Sequence, residues 1–515
     1  MSENKKFEHI PQEKFAFVQK DARIHDKKLD TKARSYFADA LLRFRKNKSS
    51  VIAAWILLIL VLYAILVPEL SPYDMSQKDD NYSSSPAYVP AIAEMKLGIL
   101  DGARTHASQN EVAMNFWKGI AIETGQDPVL KILDTKTTQV KHRGKMVDRF
   151  TYTIETNRYF ETGIVYRNFR YDEYEAIQKW QNETGVQVIY PWVEPNDIAG
   201  IENNPNIWYA VDDKGHAKLD KEGNFVPKYS TRTEIQGPVE YNSIRIASDP
   251  GNYIYSAEKS NSVMCRVSYY ALYQYRNGHE PSYILGTNVM GQDLFTAIAV
   301  GARFSILFAI VISAINLTIG AVYGAVQGYY GGWVDMLMDR IADILYDVPF
   351  VVVVTLFQFH VAPKLGKWGV VVAFLLAFIM TGWIGMAALT RKQFYRFKSQ
   401  EFVLAARTLG ASDSRLMFKH IFPNGLGTII TSCALIIPGT ISSETNMTYL
   451  NIVNLSEVAG TSLGTLLSQG QANMTTAPHA MLWPSIYFAL LMICFNLFGN
   501  GLRDAFNPST RGAED

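Results

Sequence analysis

The chain of 515 residues is too long for one ordinary domain, and its formal net charge of +1 gives no global reason to bind nucleic acid or acidic substrates. The mean hydropathy of −0.01 is that of a soluble protein, but it averages two unlike parts. Only three cysteines are present, so no disulfide framework is predicted, and no cleavable signal peptide is expected before the first apolar run.

The N-terminal part predicts a basic tail followed by one membrane span. Residues 1–48 are polar and become rich in lysine and arginine from residue 27 onward. Residues 51–67 form an unbroken apolar run that ends at Pro68, so 49–67 is predicted as a transmembrane helix, for which about 17–25 residues are needed. Because basic residues favour the cytoplasmic side of a span, the tail is expected in the cytoplasm. A buried core helix is the alternative, but the run has no polar face.

Residues 68–285 have a different character, and no run in them could cross a membrane. Strands are predicted at 150–155 and 186–193, and helices at 112–122 and 172–180. A region of about 200 residues can bury its own core, so we expect a soluble α+β domain outside the membrane. Its sequence shows neither metal-ligand spacing nor a catalytic set, so neither a metal site nor an enzyme is predicted.

Residues 286–505 predict a transmembrane domain with five further helices. The apolar runs lie near 304–326, 341–362, 369–389, 426–449 and 480–499. Six spans place both termini on the same side, with 506–515 as a second cytoplasmic tail. The loop 390–425 is strongly basic and is expected inside, whereas the loop 450–479 has no lysine or arginine and is expected outside. The acidic turn 329–340 and the turn 363–368 with two lysines fit this topology poorly.

Within the basic loop, residues 401–424 predict two short helices joined by a corner. Phe402, Ala405, Ala406 and Leu409 are spaced as one apolar stripe, and Gly410 then suits a left-handed helix end. Either Ser412 or Asp413 is positioned to cap the next helix. That helix is expected to carry four residues on one side and to stop at Pro423. The four residues are Leu416, Met417, His420 and Ile421.

This stretch resembles the cytoplasmic coupling motif of ABC-importer permease subunits, and its H-x-x-P-N ending resembles the dipeptide and oligopeptide permeases in particular. The matching residues are Ala405, Ala406, Gly410, His420, Pro423 and Asn424. The glutamate of the family motif is replaced by Leu404. Glu401, one helical turn earlier, is a candidate to replace its carboxylate; otherwise the contact is apolar and made by Leu404.

Three more segments resemble the same family. They are L-G-T-N-x-x-G-Q-D at 285–293, G-Y-Y-G-G-W-V-D at 328–335 and N-L-F-G-N-G-L-R-D at 496–504. Asn288 and Gln292 stand where the family has aspartate and arginine. The resemblance covers the first span and residues 285–508, so the 68–285 region is interpreted as an insertion between the first and second spans.

The resemblance implies an all-α polytopic protein with the type I ABC importer permease fold, six transmembrane helices and an inserted extracytoplasmic α+β domain. It implies the C-type subunit of a bacterial importer in the cell membrane, which would form half of a peptide translocation path with a second permease. Two ATP-binding cassette subunits and an extracytoplasmic peptide-binding lipoprotein are the other expected partners. Because no phosphate-binding loop is present, ATP is expected on the partners and no cofactor on this chain.

Other functions stay open at this point. Nickel or another small solute is an alternative substrate within the same family. A different class is a membrane-anchored receptor whose function lies in residues 68–285. Aromatic residues of that region, such as Tyr190, Trp192 and Trp208, are candidates for docking a binding protein, with a core role as the alternative.

Ionisable residues within predicted spans are candidates for the translocation path, because charge is costly in lipid. Glu444 follows a half-polar stretch that includes Ser443, as expected for a water-filled path or a helix contact. Asp343 and Asp347 lie one helical turn apart before Pro349. Asp347 is therefore a third candidate. The alternative is that Asp343 and Asp347 are an interfacial pair bonded to Arg340 or to a neighbour's backbone.

Overall fold

The computed structural model describes residues 36–142, 145–231, 253–259, 261–456 and 460–506. Most of the predicted N-terminal tail and nearly all of the predicted C-terminal tail lie outside these residues. The end of the N-terminal tail forms the helix α1, Tyr36–Lys46, and the first predicted span is the helix α2, Lys48–Leu70. The prediction that Pro68 ends this helix is wrong. Proline has no backbone N–H, so one hydrogen bond of the helix is lost at Pro68. The helix α2 nevertheless continues for two more residues, to Leu70.

The C-terminal half is helical. In chain order its helices are α8 (Leu294–Tyr330), α9 (Gly332–Tyr346), α10 (Phe350–His360), α11 (Gly369–Gly382), α12 (Ile384–Phe397), α13 (Glu401–Thr408), α14 (Asp413–Arg415), α15 (Phe422–Tyr449), α16 (Leu463–Ala472) and α17 (His479–Phe506). Within the described residues, five helices are long and apolar enough to cross a membrane, and the count reaches six if the bent pair α9–α10 is one span.

The predicted third span, 341–362, is not one straight helix. The helices α9 and α10 are bent by 74° at the break between them. Pro349 directly precedes α10, and a proline disfavours helical geometry in the residue before it. The fourth span also differs, because α12 continues to Phe397 and so enters the predicted loop 390–425. The acidic turn predicted at 329–340 is mostly the first part of α9.

Glycines set the distance between α8 and α12. A Cβ atom added at Gly324 would lie 2.2 Å from the carbonyl oxygen of Ala387, and one at Gly320 would lie 2.6 Å from that of Trp383. Gly328, one turn further on, approaches α12 equally closely. Small residues at every fourth position allow helix backbones to touch in a membrane, where apolar burial gives little driving force between helices. This contact packs α12, the helix that leads into residues 401–424, against the last turns of α8.

The described residues between α2 and α8 contain both helices and sheets, as the sequence predicts. The helices are α3 (Pro90–Ala93), α4 (Glu111–Thr124), α5 (Arg158–Glu161), α6 (Tyr171–Thr184) and α7 (Tyr269–Asn277). The strands are β1 (Ala103–Gln109), β2 (Val129–His142), β3 (Lys145–Asn157), β4 (Ile164–Phe169), β5 (Ile189–Tyr190), β6 (Ser256–Lys259) and β7 (Ser262–Ser268). The strand predicted at 186–193 is only the two residues of β5.

Two antiparallel sheets organise this region. One has the order β1-β3-β2, and in the other β7 pairs with β4, β5 and β6. The β2–β3 ribbon projects from its sheet, and the side chains of residues 131–140 are all exposed. The interpretation of Tyr190, Trp192 and Trp208 as interface residues is wrong: each is at most 6% exposed and fills the core.

Tyrosines form a separate buried cluster in this region. Its members are Tyr82, Tyr88, Tyr159, Tyr270, Tyr273 and Tyr283. The neighbouring L-G-T-N-x-x-G-Q-D segment is also buried, and the two residues that depart from the family pattern contact each other. The Asn288 side-chain amide donates a 2.9 Å hydrogen bond to the Gln292 carbonyl oxygen, and Gln292 donates to the Met75 backbone. A neutral hydrogen-bonded pair therefore stands at the two positions where the family pattern has aspartate and arginine.

Candidate functional site

The segment from α13 to α15 is anchored by Val403, which is fully buried against Phe394, Leu416 and Ile421. The predicted stripe of Phe402, Ala405, Ala406 and Leu409 is therefore not the buried face. Ala406 is partly buried, but the other three are exposed. The error arises because α13 is only eight residues long, so several apolar residues could define its inner side.

The corner after α13 is confirmed. Gly410 has a φ of +82°, the left-handed conformation that glycine adopts without a Cβ penalty. Its N–H donates to the Arg407 carbonyl at 3.0 Å, and the Ala411 N–H donates to the Ala406 carbonyl at 3.1 Å. These two bonds form a Schellman motif, which satisfies the last carbonyls of the helix. Ser412 is the N-cap residue of α14, although its side chain makes no capping hydrogen bond.

The predicted stop at Pro423 is wrong. Residues Leu416–Ile421 form a π-helical turn that runs directly into α15, and Pro423 lies in the first turn of α15. A proline there lacks only a donor that a helix start leaves free. Of the four residues predicted on one side, His420 is partly buried and the other three are buried. Asn424 donates a 2.7 Å hydrogen bond to the His420 carbonyl, and its side chain is exposed.

Tyr329, at the end of α8, joins both parts of the corner. Its hydroxyl donates to Asp413 at 2.6 Å and accepts from Arg407 at 3.3 Å. No role was predicted for Tyr329, although it lies in the G-Y-Y-G-G-W-V-D segment that resembles the family. Asp413, considered only as a cap, instead accepts this hydroxyl.

A second polar network binds α9 to α12 at the same end of α8. Arg391 donates to Asp335 at 2.5 Å and to Asp339 at 2.8 Å, and the Tyr395 hydroxyl donates to Asp335 at 2.6 Å. Two carboxylates of the acidic stretch 329–340 are paired with Arg391. This pairing explains why the stretch fits poorly the rule that basic residues mark the cytoplasmic side. Spacing along the chain could not reveal it, since the partners are more than 50 residues apart.

The outward side of the corner is apolar. Leu409 is 88% exposed, and Phe402 and Leu404 are each more than 40% exposed. Glu401 is also exposed, in the first turn of α13. Thus Val403, Tyr329 and the Schellman turn hold the corner from inside, while large apolar side chains face outward. Exposed apolar side chains grouped in this way are typical of a protein interface.

Comparison with known proteins identifies the family. Residues 316–512 match the model of the binding-protein-dependent transport system inner membrane component, and residues 35–88 match the N-terminal TM domain of oligopeptide transport permease C. The oligopeptide transport system permease protein OppC of Bacillus subtilis is 40% identical over 226 residues, which are 44% of this chain and 72% of that protein. The chain belongs to the OppC/DppC family of ABC-transporter permeases.

Other relatives agree with this assignment. The dipeptide transport system permease protein DppC of Bacillus subtilis is 34% identical over 44% of this chain and 68% of its own length. The OppC of Escherichia coli K12 is 33% identical over 45% of this chain and 74% of its own length. Among solved structures, the MetNI methionine ABC transporter in an inward-facing form covers 41% of this chain and 96% of that chain, with 13% identity and a TM-score of 0.33, too weak a likeness to establish the fold. This permease is a multi-pass membrane protein.

Glu444 lies inside the helix bundle of this permease. It is fully buried, and its carboxylate accepts from Ser305 of α8 at 2.7 Å, from Thr445 at 3.3 Å and from Thr448 at 3.4 Å. Close helix contacts surround it, because an added Cβ at Gly464 of α16 would lie 1.9 Å from the Thr448 hydroxyl oxygen. Among the described residues no lysine, arginine or histidine forms an ion pair with Glu444. Hydroxyl groups alone therefore satisfy this carboxyl in the described structure.

The other two path candidates lie elsewhere. Ser443 is partly buried next to Glu444, whereas Asp347 is exposed at the bend between α9 and α10. The structure therefore brings together Glu444 and Ser443 but not Asp347. The alternative pairing of Asp343 with Arg340 is present, at 3.2 Å on the surface of α9. Within the described ranges, no group of three or more histidine, cysteine, aspartate or glutamate side chains is arranged to hold a metal ion.

Proposed function

We propose that this chain is the C-type permease subunit of an oligopeptide importer that depends on a binding protein. The relatives are named as oligopeptide and dipeptide transport permeases, and family membership supports the same substrate class here. The chain forms half of the translocation path in a type I importer fold, beside a second permease. Two ATPase subunits hydrolyse ATP, so this chain binds no nucleotide. Nickel-type solutes are the second candidate substrate, with no particular residue in their favour.

The observation that carries the proposal is the exposed apolar surface of the rigid corner. Phe402, Leu404 and Leu409 face outward from a helix that is fixed by Val403 and closed by Gly410. A preorganised apolar surface loses little conformational entropy when it binds a partner. Closure of the ATPase dimer would move this corner and, through the π turn, α15. We assign the ATPase contact mainly to Leu404, with Glu401 beside it replacing the carboxylate of the family motif.

Topology follows from the same assignment. The corner is basic and lies in the cytoplasm, and both termini are on that side. The 68–285 region is then extracytoplasmic, and residues 89–315 fall between the two family-model matches, in agreement with an insertion. A receptor with no transport role is the alternative, but it would not need an apolar corner of this kind at the cytoplasmic end of α8.

We assign the docking of the peptide-binding lipoprotein to the β2–β3 ribbon. Leu133 and Met146 are 47% and 60% exposed on it, and a two-stranded ribbon in water is only marginally stable by itself. A ribbon exposed over residues 131–140 gains stability when a partner covers it. The ribbon thus takes the docking role that was predicted for Tyr190, Trp192 and Trp208, which are buried.

One crossed experiment tests both contacts. The full chain is purified with its partners from membranes, and the ATPases and the binding protein that accompany it are quantified. Leu404→Asp combined with Leu409→Asp should reduce the ATPases at least tenfold and leave the binding protein unchanged. Leu133→Asp combined with Met146→Asp should reduce the recovered binding protein at least tenfold and leave the ATPases unchanged. Leu219→Asp, at another exposed leucine, is the matched control and should change neither. Unchanged ATPase recovery in the first variant would contradict the coupling role.

A further inference from the structure

A cavity of about 750 Å³ lies where the end of α2 meets the α+β region. Val67 and Leu70 of α2 form one wall, Ala91 of α3 forms a second, and Phe295 of α8 forms a third. Small-molecule sites usually measure about 300–1,000 Å³ and have mostly apolar walls. The cavity is therefore large enough for a ligand and has the right lining for a hydrophobic one.

Large apolar side chains are exposed around this cavity. Leu70 is 77% exposed and Ile284 is 53% exposed, and both belong to the lining. Met95, Leu97 and Ile99, which follow α3 in the chain, are each more than half exposed. Such a concentration of exposed apolar residues marks an interaction site rather than ordinary surface.

The cavity is continuous with the lipid-facing side of α2. Ile59, Leu62 and Leu66 are exposed along this spanning helix, and Leu70 carries the same apolar surface to the cavity mouth. Because the helix ends there, the mouth lies where the hydrocarbon of the bilayer gives way to the headgroups. An acyl chain can enter from the membrane without crossing water.

The charges around the cavity select the headgroup. Its lining includes Glu94, Glu280 and Asp293, and the described lining residues include no lysine or arginine. Asp293 is already engaged, because it accepts from the Thr296 backbone at 2.8 Å and caps α8. Glu280 accepts a hydrogen bond from the Tyr270 hydroxyl and keeps further acceptor positions, so Glu94 and Glu280 can both face a cation. An anionic headgroup would meet like charge, whereas an ammonium group would be attracted.

We infer that this cavity binds the acyl chain of a membrane phospholipid whose headgroup carries an amine, with the ammonium group facing Glu94 and Glu280. The bound lipid fills the space between the spanning helices and the α+β region. It thereby fixes this region relative to the membrane surface. This inference uses only the cavity and its surroundings, so it does not depend on the transported solute.

Photo-crosslinking of the full chain in lipid vesicles tests the inference. The vesicles contain phosphatidylethanolamine and phosphatidylglycerol, and one of the two carries a diazirine on its acyl chain. We expect the phosphatidylethanolamine probe to label peptides of the cavity lining. Ala91→Trp, which fills the cavity, should reduce this labelling at least tenfold. Ala107→Trp, at an exposed alanine of β1, is the matched control and should leave it unchanged.

A second variant removes the charges and leaves the cavity open. Glu94→Gln combined with Glu280→Gln should reduce the preference for phosphatidylethanolamine over phosphatidylglycerol at least threefold while labelling persists. Each variant is compared at equal amounts of membrane-inserted chain. Equal labelling in Ala91→Trp would overturn the inference, and so would labelling in cell membranes by the acyl chain of a lipoprotein instead of free phospholipid. Equal labelling by both probes in the unmodified chain would overturn the headgroup assignment.

Discussion

The spanning helices and the α+β region of this permease are held together by opposite means. The helices α8 and α12 are in close contact because Gly320, Gly324 and Gly328 have no side chains and let the two backbones touch. In the α+β region, the contact depends on large side chains, such as the six buried tyrosines near α8. Water drives rings into a core, whereas lipid gives helices no comparable reward for burying apolar surface.

Charged groups follow the same division. In the α+β region, Arg266 is fully buried and pairs with Glu123 of α4, while the Pro191 carbonyl accepts from the same guanidinium at 2.8 Å. Burial raises the pKa of Glu123 above its usual range, and the adjacent Arg266 opposes this rise. Inside the bundle, the partners of Glu444 among the described residues are hydroxyl groups. Between the spanning helices, the harmful change is a methyl group added at a glycine. In the α+β region, the harmful change is the loss of a partner from a buried pair.

The largest effect is expected from Gly324→Leu. Its Cβ would lie 2.2 Å from the Ala387 oxygen, a backbone atom that cannot move away without separating α8 from α12. We expect at least tenfold less membrane-inserted chain that elutes as a single species in detergent. Gly385→Leu is the matched control, because an added Cβ there meets no atom within 4 Å, and it should elute normally. Normal elution of Gly324→Leu would show that the glycines do not set the helix distance.

A smaller effect is expected from Glu123→Leu. The substitution leaves Arg266 buried without its counter-charge, which costs about 3–5 kcal/mol in comparable buried pairs. We expect the α+β region to unfold at lower urea concentration, as measured by pulse proteolysis of the full chain in membranes. Glu183→Leu removes an exposed partner of Lys179 and should have no measurable effect. Equal midpoints for the two variants would mean that the buried pair does not stabilise this region.

The smallest effect is expected at the corner, where Gly410 neither packs against another helix nor belongs to a buried pair. Gly410 needs the left-handed conformation, which costs a β-branched residue about 1–2 kcal/mol. Since no atom lies within 4 Å of an added Cβ, Gly410→Val strains only the backbone. We expect several-fold less ATPase to be recovered with the chain while insertion is unchanged. Asparagine tolerates this conformation, so Gly410→Asn should recover more ATPase than the valine variant. Equal recovery of ATPase with both variants would show that the left-handed conformation at Gly410 is not needed for ATPase binding.

Local signals explain what the sequence predicted correctly. The corner at Gly410, the helices α4 and α6 and the long apolar runs all depend on neighbours within a few turns. The structure has each of them, except that the run 341–362 is broken before Phe350. The burial of Val403 rather than Phe402 depends on residues of α12 and of the π turn, so spacing within α13 could not decide it. The π turn and the networks of Tyr329 and Arg391 are likewise contacts between distant segments. The core role of Trp192 and Trp208 was an open alternative, because the sequence alone does not show which rings are covered.

The length of α8 has a mechanical consequence. It begins at the buried loop beside the tyrosine cluster and ends at the corner closed by Gly410, and its 37 residues make a rod about 55 Å long. For such a rod, a tilt of about 5° at one end displaces the other end by about 5 Å, nearly the pitch of one helical turn. A small rotation at the end beside the tyrosine cluster is thus amplified into a displacement of nearly one helical turn at the corner.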